Sequence, residues 1–423
     1  MQLRVDETSF ERVKDRPVSF DCDLAIVGGG PAGSSTALFV TRREGIEPGR
    51  VVLLEKATHP REKPCAGAVS AWGVDALARV NLAIAVPHVD MRGLRIVDRG
   101  RVGAHVMSGL GVIVRRDAFD ASLWRAATAE GVRAYDGEGV KDLGRVPGGW
   151  SIETTASRRI KARFVAACDG AGSVVRKALR MSEPARKGHL YVLETDPGAA
   201  DVGPRQGLCD FDLGPVASNI DGYYWDFPTV IDGAPAVSRG IYHANLRPSR
   251  ALKDVLASEL GRRGIDIAAV RLKPFSTRPF VEQTVLTAER VVFVGEAAGI
   301  DATTGEGIAQ AILFGEIAAH HLARALRLGA HVLSGYADAV RASRMGRHLL
   351  QSAWLARVVY GRRRGAPFRA LLLDDGGARA AGARWYHGGS LSWFEKLRLS
   401  LALAARVPSG LAASSHGPLG PTR

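Results

Sequence analysis

The sequence predicts an α/β protein built on a discontinuous, Rossmann-like dinucleotide-binding domain. A mostly antiparallel β-sheet domain is inserted into it, and a helical region follows it. Three observations predict this architecture. A glycine-rich turn joins an apolar strand to a helix near residue 28. Further short apolar strands recur near residues 51, 164 and 291, and the stretch 190–245 contains several β-like runs separated by Gly, Pro, Asn and Asp.

The glycine-rich turn is the strongest single signal. Residues 24–27 form an apolar run that suits a buried parallel strand, and the pattern G-x-G-x-x-G follows at once. In a dinucleotide site Gly28 turns the chain, Gly30 lets a pyrophosphate approach the backbone, and Gly33 lets helix and strand pack closely. The helix expected over about 32–43 aims its free amides at the phosphates. The next strand ends at Glu55, whose carboxylate can accept hydrogen bonds from ribose hydroxyls.

The bulk composition is that of a globular protein. The chain has 423 residues, 46% of them hydrophobic and 24% charged, which is enough for two domains and a sizeable core. No run of 18 apolar residues is free of charge, so no membrane span is expected. The first 20 residues alternate basic and acidic side chains, which argues against a secretory signal peptide. Four cysteines without metal-ligand spacing predict neither a disulfide scaffold nor a metal site, and we expect a cytoplasmic protein.

The net charge of +14 is concentrated at the C-terminal end. Residues 321–423 contain 16 Arg and Lys against four Asp and Glu. One interpretation is a solvated helical face. The other is a docking surface for an acidic partner such as an anionic membrane, a carrier protein or a substrate phosphate. Nucleic acid is not expected, because no recognised binding motif accompanies the charge. The amphipathic run through Trp393, Leu397, Leu401 and Ala404 is consistent with peripheral contact at a membrane surface and equally with packing on the protein's own domain.

The remaining elements follow in order along the chain. We expect a hairpin over 91–107, a helix over 116–131, strands at 140–143, 150–154 and 164–167, a helix over 252–261 and a long helix ending near residue 328; the tail past Gly410 is expected to be disordered. The predicted division is 1–90, 111–183 and 276–330 for the dinucleotide-binding domain, 91–110 and 184–275 for the substrate domain, and 331–423 for the basic helical region.

Three separated motifs resemble the flavoprotein hydroxylase and reductase superfamily of the glutathione-reductase type, to which p-hydroxybenzoate hydroxylase-like proteins belong and which holds FAD in an extended pose. The glycine turn with Glu55 is the first motif. Asp169-Gly170, after a buried strand, is the second, and Gly295-Glu296-Ala297-Ala298-Gly299, after another buried strand, is the third. The resemblance covers roughly residues 21–328 and implies that the dinucleotide site holds FAD.

The resemblance also implies roles for individual residues. Asp169 and Gly170 would border FAD, and Glu296, where the family usually has Asp, would contact its ribityl and pyrophosphate region. Arg116 would reach the phosphates, and the backbone at Val140 would meet the adenine. The glycine-rich start of the helix after residue 305 can present free amides to the flavin. The residues expected to bind FAD are Gly28, Gly30, Pro31, Ala32, Gly33, Glu55, Lys56, Cys65, Ala66, Gly67, Arg116, Val140, Asp169, Gly170, Glu296, Gly305, Gly307 and Ile308.

Two further segments are similar to the geranylgeranyl reductase family. Residues 63–70, Lys-Pro-Cys-Ala-Gly-Ala-Val-Ser, are similar to its K-P-C-G-x segment, and residues 223–228, Tyr-Tyr-Trp-Asp-Phe-Pro, match its Y-x-W-x-F-P motif in full. The strand period of two places Tyr223, Trp225 and Phe227 on one face. That aromatic wall is expected to bind a lipid or polycyclic substrate; a plain sheet core is the alternative.

The resemblance implies an FAD-dependent reductase. The reaction expected is reduction of C=C bonds of a hydrophobic, prenyl-like or polyene substrate by hydride transfer from reduced FAD. By analogy Cys65 would lie near the isoalloxazine ring, as a general acid or as a small apolar filler. NADPH, or a reduced partner protein, is the expected electron donor. No second glycine-rich βαβ unit occurs in the sequence, so NAD(P)H would bind transiently.

Two alternatives stay open at this point. One is an FAD-dependent monooxygenase that hydroxylates or epoxidises an aromatic or polyketide-like product of secondary metabolism. The other is a non-catalytic, FAD-containing protein that binds an acidic partner through its basic region. Flavin halogenases carry a G-E-S-type segment and a W-x-W-x-I-P motif, and neither occurs at the corresponding positions here, so halogenation is not expected.

Overall fold

The computed structural model describes residues 19–182, 187–246, 251–329, 333–362, 365–389 and 392–406. The tail past Gly410, for which disorder was predicted, lies outside these ranges. The helices are α1 Pro31–Leu38, α2 Ala71–Ala78, α3 Arg116–Ala129, α4 Val174–Ala178, α5 Val202–Arg205, α6 Leu252–Gly261, α7 Ile308–Leu328, α8 Tyr336–Ala342, α9 Arg344–Val359, α10 Ala366–Asp374, α11 Gly376–Tyr386 and α12 Trp393–Ala404. No described helix is both long and apolar enough to cross a membrane.

The strands form three sheets. In chain order they are β1 Cys22–Val27, β2 Val51–Leu54, β3 Ala68–Ser70, β4 His88–Asp90, β5 Gly93–Asp98, β6 Arg101–Val106, β7 Gly111–Val114, β8 Arg133–Tyr135, β9 Val140–Val146, β10 Gly149–Thr154, β11 Arg159–Ala167, β12 Gly188–Thr195, β13 Leu208–Asp212, β14 Gly222–Ile231, β15 Ala234–His243, β16 Lys273–Thr277, β17 Thr287–Ala288 and β18 Val291–Phe293. The predicted α/β class, with an inserted antiparallel sheet and a C-terminal helical region, is confirmed.

The first sheet is the nucleotide-binding layer. Its order is β17-β18-β11-β1-β2-β8, and β1 pairs in parallel with β2 and β11. Strands β1, β2 and β18 are buried along almost their whole length, as strands covered on both faces must be. The antiparallel pair β9–β10 extends the sheet from β11. The order β11-β1-β2 brings residues 28, 55 and 168–170, which follow these strands, to one edge.

Helices α1 and α7 pack beside this sheet and lie very close to each other. An added Cβ at Gly315 of α7 would lie 2.5 Å from the Ser35 Oγ of α1. The helix predicted over 32–43 is α1 followed by one π-helical turn, Phe39–Arg43. Close packing of small residues therefore holds the first residues of both helices beside the sheet edge.

The second sheet is the inserted one. Its order is β16-β12-β15-β14-β13-β5-β6, antiparallel except for the β13–β5 pair. The predicted hairpin over 91–107 is β5 and β6, and it pairs in sequence register from Gly93↔Val106 to Asp98↔Arg101. The third sheet, β3-β7-β4, is small; it contacts β14 of the second sheet on one side and α7 on the other. Strands of the first sheet come from separate parts of the chain, as expected for a discontinuous dinucleotide-binding domain. The domain boundaries themselves stay a prediction.

The C-terminal helices pack on the aromatic face of the second sheet. Side chains of α9 and α11, among them Ala356, Val359 and Tyr386, share one buried cluster with the aromatic side chains of β14. Helices α10 and α11 also contact β6. The basic region is therefore part of the folded core and not an appendage, although its last helix, α12, contributes no buried residue.

Candidate functional site

The glycine turn has the geometry of a dinucleotide cradle. Gly28 has φ +104°, and an added Cβ at Gly33 would lie 1.8 Å from the Gly28 carbonyl oxygen, so only glycine fits at both positions. The Gly29 amide donates to Glu55 Oε2 at 2.8 Å, and the Ala57 amide donates to Oε1 at 3.0 Å. Pro31 and Ala32 are the first residues of α1 and are buried, whereas Lys56 is exposed.

The second and third motifs meet beside this turn. Asp169 accepts a hydrogen bond from the Val175 amide through Oδ2, while its buried Oδ1 has no partner within the described part of the chain. Burial raises the pKa of this carboxyl. An added Cβ at Gly170 would lie 3.6 Å from Glu296 Oε2. Glu296 in turn lies 3.6 Å from the Lys63 ammonium. The second and third motifs therefore lie next to each other at this edge of the first sheet.

Two arginines and one aspartate form a buried charge cluster next to these motifs. Arg116 makes a two-pronged ion pair with Asp120, with both N···O distances 2.8 Å. Arg61 Nη2 lies 3.2 Å from the same carboxylate, and Arg61 Nε lies 3.7 Å from Glu55. Burial works against the charge on Arg116, but Asp120 and the Cys65 thiol outweigh it and raise the pKa of its guanidinium. The cluster places two guanidinium groups, each with a carboxylate partner, where the resemblance expects phosphates.

A cleft that is open to solvent lies between this cluster and the second sheet. Lys63, Cys65 and Arg116 line one wall, and Val192 and Ser238 of the second sheet line the other. The buried Ser238 hydroxyl has no hydrogen-bond partner among the described residues. Residue 65 carries the one half-buried cysteine of the four, the other three being buried.

Lys63 is held in an unusual state at this wall. Its ammonium lies 3.1 Å from the centroid of the Phe275 ring. Burial lowers the pKa of Lys63 to about 8, against the opposing effect of Glu296. The backbone continues through Ala66 to Gly67, which has φ +85° and donates its amide to the Cys65 sulfur at 3.4 Å. The Lys-Pro-Cys-x-Gly segment thus places the Lys63 ammonium and the Cys65 thiol on the same wall of the cleft.

The predicted aromatic wall forms, but it is covered. Tyr223, Trp225 and Phe227 lie on one face of β14, and their ring centroids are 6.2 and 6.5 Å apart in succession. All three side chains are buried, with the C-terminal helices packed over them. The Tyr223 hydroxyl donates to the Thr304 carbonyl. The wall therefore supports the loop that precedes α7, and its role in substrate binding stays a prediction.

The loop 301–307 carries residues that the sequence reasoning did not select. Asp301 is buried and accepts hydrogen bonds from the Thr303 amide at 2.7 Å and Ser352 Oγ at 2.6 Å; His348 Nε2 lies 3.1 Å from its other oxygen. His348 is stacked on Trp385, with ring centroids 4.2 Å apart. Burial alone would raise the pKa of Asp301, but these hydrogen bonds hold it below its ordinary value. Asp301 itself could have been found from sequence, because it lies two residues after the end of the third motif.

Glu306 is the second overlooked residue, and it lies between Gly305 and Gly307 at the start of α7. It accepts hydrogen bonds from the amide and the hydroxyl of Ser70 and from Gln310 Nε2 at 3.2 Å. Burial raises its pKa to about 7, although Ser70 acts in the opposite direction. Gln310 Oε1 has no partner among the described residues. A flipped Gln310 amide would let a protonated Glu306 donate to that oxygen.

The residues present fit FAD. The glycine cradle leaves no room for side chains at Gly28 and Gly33, the Arg61–Arg116 pair is cationic, and Asp169 Oδ1 is buried without a partner in the described chain. Val140 begins β9, and Ile308 begins α7 with Gly305 and Gly307 just before it. These observations match a cofactor with phosphates, hydroxyls and a planar ring. The individual contacts stay predictions.

Comparison with known proteins also indicates an FAD-binding protein. The family model described as "FAD binding domain" matches residues 21–208. A digeranylgeranylglycerophospholipid reductase of Methanothrix thermoacetophila is 28% identical over 73% of this chain and 79% of its own length. A geranylgeranyl diphosphate reductase of Rhodobacter capsulatus is 28% identical over 73% of this chain and 76% of its own. A rifampicin monooxygenase of Streptomyces venezuelae is 26% identical over 40% of this chain and 36% of its own.

Solved structures share the fold. A geranylgeranyl bacteriochlorophyll reductase-like protein of Thermoplasma acidophilum superposes with a TM-score of 0.66 at 20% identity, covering 92% of this chain and 97% of that one. A flavin-dependent brominase superposes with a TM-score of 0.68 at 16% identity, covering 91% and 98%. The chain is therefore an FAD-dependent oxidoreductase that matches an FAD-binding domain over residues 21–208, and its resemblance to the geranylgeranyl reductase family is confirmed at low sequence identity.

Proposed function

We propose that this protein reduces C=C bonds of a hydrophobic, prenyl-like substrate. The observation that carries the proposal is the Lys-Pro-Cys-x-Gly segment, which places the Cys65 thiol at the cleft between the FAD-binding domain and the second sheet. The relatives named geranylgeranyl reductases support the substrate class. Bound and reduced, FAD supplies a hydride to one carbon of an alkene.

The chain has to supply the second carbon with a proton. Cys65 is our proposed donor, because its thiol is partly exposed at the cleft and can be reprotonated from solvent. Arg116, beside the thiol, stabilises the thiolate left after transfer. The cleft is open to solvent, so the substrate chain would have to displace water as it enters.

The test is anaerobic turnover. The FAD-loaded protein would be reduced first with NADPH and, failing that, with dithionite, then mixed with geranylgeranyl diphosphate. A product two mass units heavier per reduced bond supports the proposal, and no reduced product from a fully reduced flavin refutes it. Reduction by dithionite alone would make a reduced partner protein the electron donor.

Two cysteine variants separate the thiol from the rest of the site. We expect Cys65→Ala to lower the rate of alkene reduction by about a hundredfold while flavin reduction is unchanged. Cys65→Ser should retain part of the rate, since its hydroxyl can still donate. The matched control is Cys22→Ala, a buried cysteine of β1. Equal rates in wild type and Cys65→Ala would remove the thiol from the mechanism.

A monooxygenase is the second candidate, supported by the partial match to a rifampicin monooxygenase. It predicts oxygen consumption coupled to a product one oxygen heavier, and no turnover of its aromatic substrate without oxygen. An oxygen electrode with the reduced protein distinguishes the two reactions. Rapid reoxidation in air that an aromatic substrate accelerates favours the monooxygenase, and electrons that persist until an alkene is added favour the reductase.

A further inference from the structure

The last described helix, α12, leaves most of its large apolar side chains in solvent. Trp393 is 67% exposed, Phe394 76%, Leu397 42% and Leu401 63%. No residue of the helix is buried. Scattered exposed apolar residues are ordinary on a protein surface, whereas four on one short helix are not.

These four side chains share one face. At about 100° per residue they fall within an arc of about 100° around the helix axis. Lys396 lies on one side of this arc and Arg398 on the other. The opposite side of the helix carries Leu399 and Leu403, which are half-buried, and the helix packs against α10. The helix therefore has two apolar sides. One packs against the rest of the protein, and the other faces solvent.

Specific contacts hold the helix in this orientation. Ser392 and Glu395 form a capping box at its start. Glu395 pairs with Arg384 of α11, and Arg398 pairs with Asp375, which precedes α11, at 2.9 Å. Two ion pairs on one flank thus fix the helix to α11 and to the residue before it, so the exposed arc is held facing solvent and is not a result of fraying.

We propose that the exposed arc of α12, formed by Trp393, Phe394, Leu397 and Leu401, docks the protein on an anionic lipid surface. Aromatic and leucine side chains with flanking Lys and Arg are the composition of helices that lie in a membrane interface. The charge agrees, since residues 321–423 carry 16 Arg and Lys against four Asp and Glu. This inference does not depend on which reaction the site performs.

A second copy of the chain fits the arc less well. The four side chains expose on the order of 500 Å², and a stable protein interface needs about 800 Å² from each partner. A lipid surface has no such minimum, because affinity rises with each inserted side chain and each nearby cation. Area and charge therefore favour the lipid surface.

The test is flotation of the full-length, FAD-loaded protein with vesicles, without substrate. The vesicles contain phosphatidylcholine alone, or phosphatidylcholine and phosphatidylglycerol in about equal amounts. We expect binding to the anionic vesicles, about tenfold weaker binding for Trp393→Ala/Phe394→Ala, and about fivefold weaker binding for Lys396→Gln. The matched control is Trp354→Ala, since Trp354 is 63% exposed on α9 and should not matter.

Three outcomes would overturn the proposal. They are equal binding by wild type and Trp393→Ala/Phe394→Ala, equal loss in that variant and in Trp354→Ala, and equal binding to neutral and anionic vesicles. Sedimentation velocity on the same proteins tests the other occupant: a dimer that the double substitution dissociates would assign the arc to a second copy. Unchanged FAD content and melting temperature in each variant show that the fold is intact.

Discussion

Replacing Asp301 by Asn tests whether the C-terminal helices hold the loop 301–307 in place. Asp301 Oδ1 accepts from the Thr303 and Thr304 amides at 2.7 Å each and from Ser352 Oγ at 2.6 Å, and Oδ2 faces His348 Nε2 at 3.1 Å. An asparagine keeps one oxygen for the first three bonds. It loses the negative charge and puts an amide NH2 against His348.

The expected cost follows from these contacts. Hydrogen bonds to a charged group contribute about 1.5–3 kcal/mol each. Because three bonds survive in weakened form, we expect a loss of about 3 kcal/mol, which lowers the melting temperature of a chain of this length by roughly 3 °C. Since the pKa of Asp301 is held below its ordinary value, its stabilisation is complete at neutral pH and is lost as pH falls through that lowered pKa.

The measurement is thermal unfolding at several pH values, followed by circular dichroism and by release of flavin fluorescence. The difference between wild type and Asp301→Asn should be constant from about pH 6 to about pH 8 and should shrink in acid. The control is Asp232→Asn, at an exposed turn position with φ 49° that asparagine tolerates well. A change below about 1 °C in Asp301→Asn would refute the proposed network.

Three further predictions follow from the same geometry. Gly33→Ala should abolish FAD retention on gel filtration, because its Cβ would lie 1.8 Å from the Gly28 carbonyl oxygen. The pKa of Glu306 is raised to about 7, so its contribution to stability is present below its ordinary pKa of 4.5 and is lost as pH rises to about 7. Glu306→Gln should remove that pH dependence from the melting temperature. Arg116→Met should lower the free energy of unfolding by about 3 kcal/mol, because Asp120 is left buried with only Arg61 as partner.

Each of these has a control within the chain. Gly144→Ala should retain FAD, because an added Cβ there meets nothing within 4 Å, and equal loss in both variants would point to misfolding. If the melting temperatures of wild type and Glu306→Gln changed with pH in the same way, the raised pKa of Glu306 would be contradicted. Adding Asp120→Leu to Arg116→Met should recover part of the lost stability, since the uncompensated charge is removed.

Local rules recover the nucleotide-binding half of the fold from sequence. The first strand, the glycine turn and Glu55 are specified within 35 residues, and Gly28 and Gly33 each have a steric reason to be glycine. The hairpin over 91–107 and the helix Leu252–Gly261 are equally local, and both are confirmed. The resemblance to a flavoprotein family then assigned the second and third motifs, at residues 169–170 and 295–299, to the same cofactor site.

The part that sequence reasoning missed is non-local. His348 and Asp301 are 47 residues apart in the chain, and no periodicity connects a helix position to a loop aspartate. Glu306 reaches Ser70 across 236 residues. Such pairs depend on how α7 and α9 pack, which short-range patterns do not specify. The sequence signal that could have pointed to these residues was the presence of two acidic residues, Asp301 and Glu306, in a glycine-rich loop.

The strand β14 shows why its motif alternates as it does. Tyr223, Trp225 and Phe227 face the C-terminal helices, so the intervening positions face the other side of the sheet. There Asp226 pairs with Arg239 at 2.5 Å and with Arg263 at 2.7 Å, and both arginines are largely buried. A shift of one residue would place the Asp226 carboxylate among the aromatic rings and take one carboxylate partner away from each of the two arginines, which costs more than any gain in packing.

The buried ion pairs therefore determine the register of β14, and the register determines where the Tyr223 hydroxyl points. That hydroxyl bonds the Thr304 carbonyl, and Tyr242 of the neighbouring strand bonds the Ala302 carbonyl at 3.1 Å. On its other side the same loop is held by Asp301 and α9. The loop that precedes α7 is thus fixed from both the inserted sheet and the C-terminal helices, so a change of register in β14 would displace it even though no residue of the FAD-binding domain had changed.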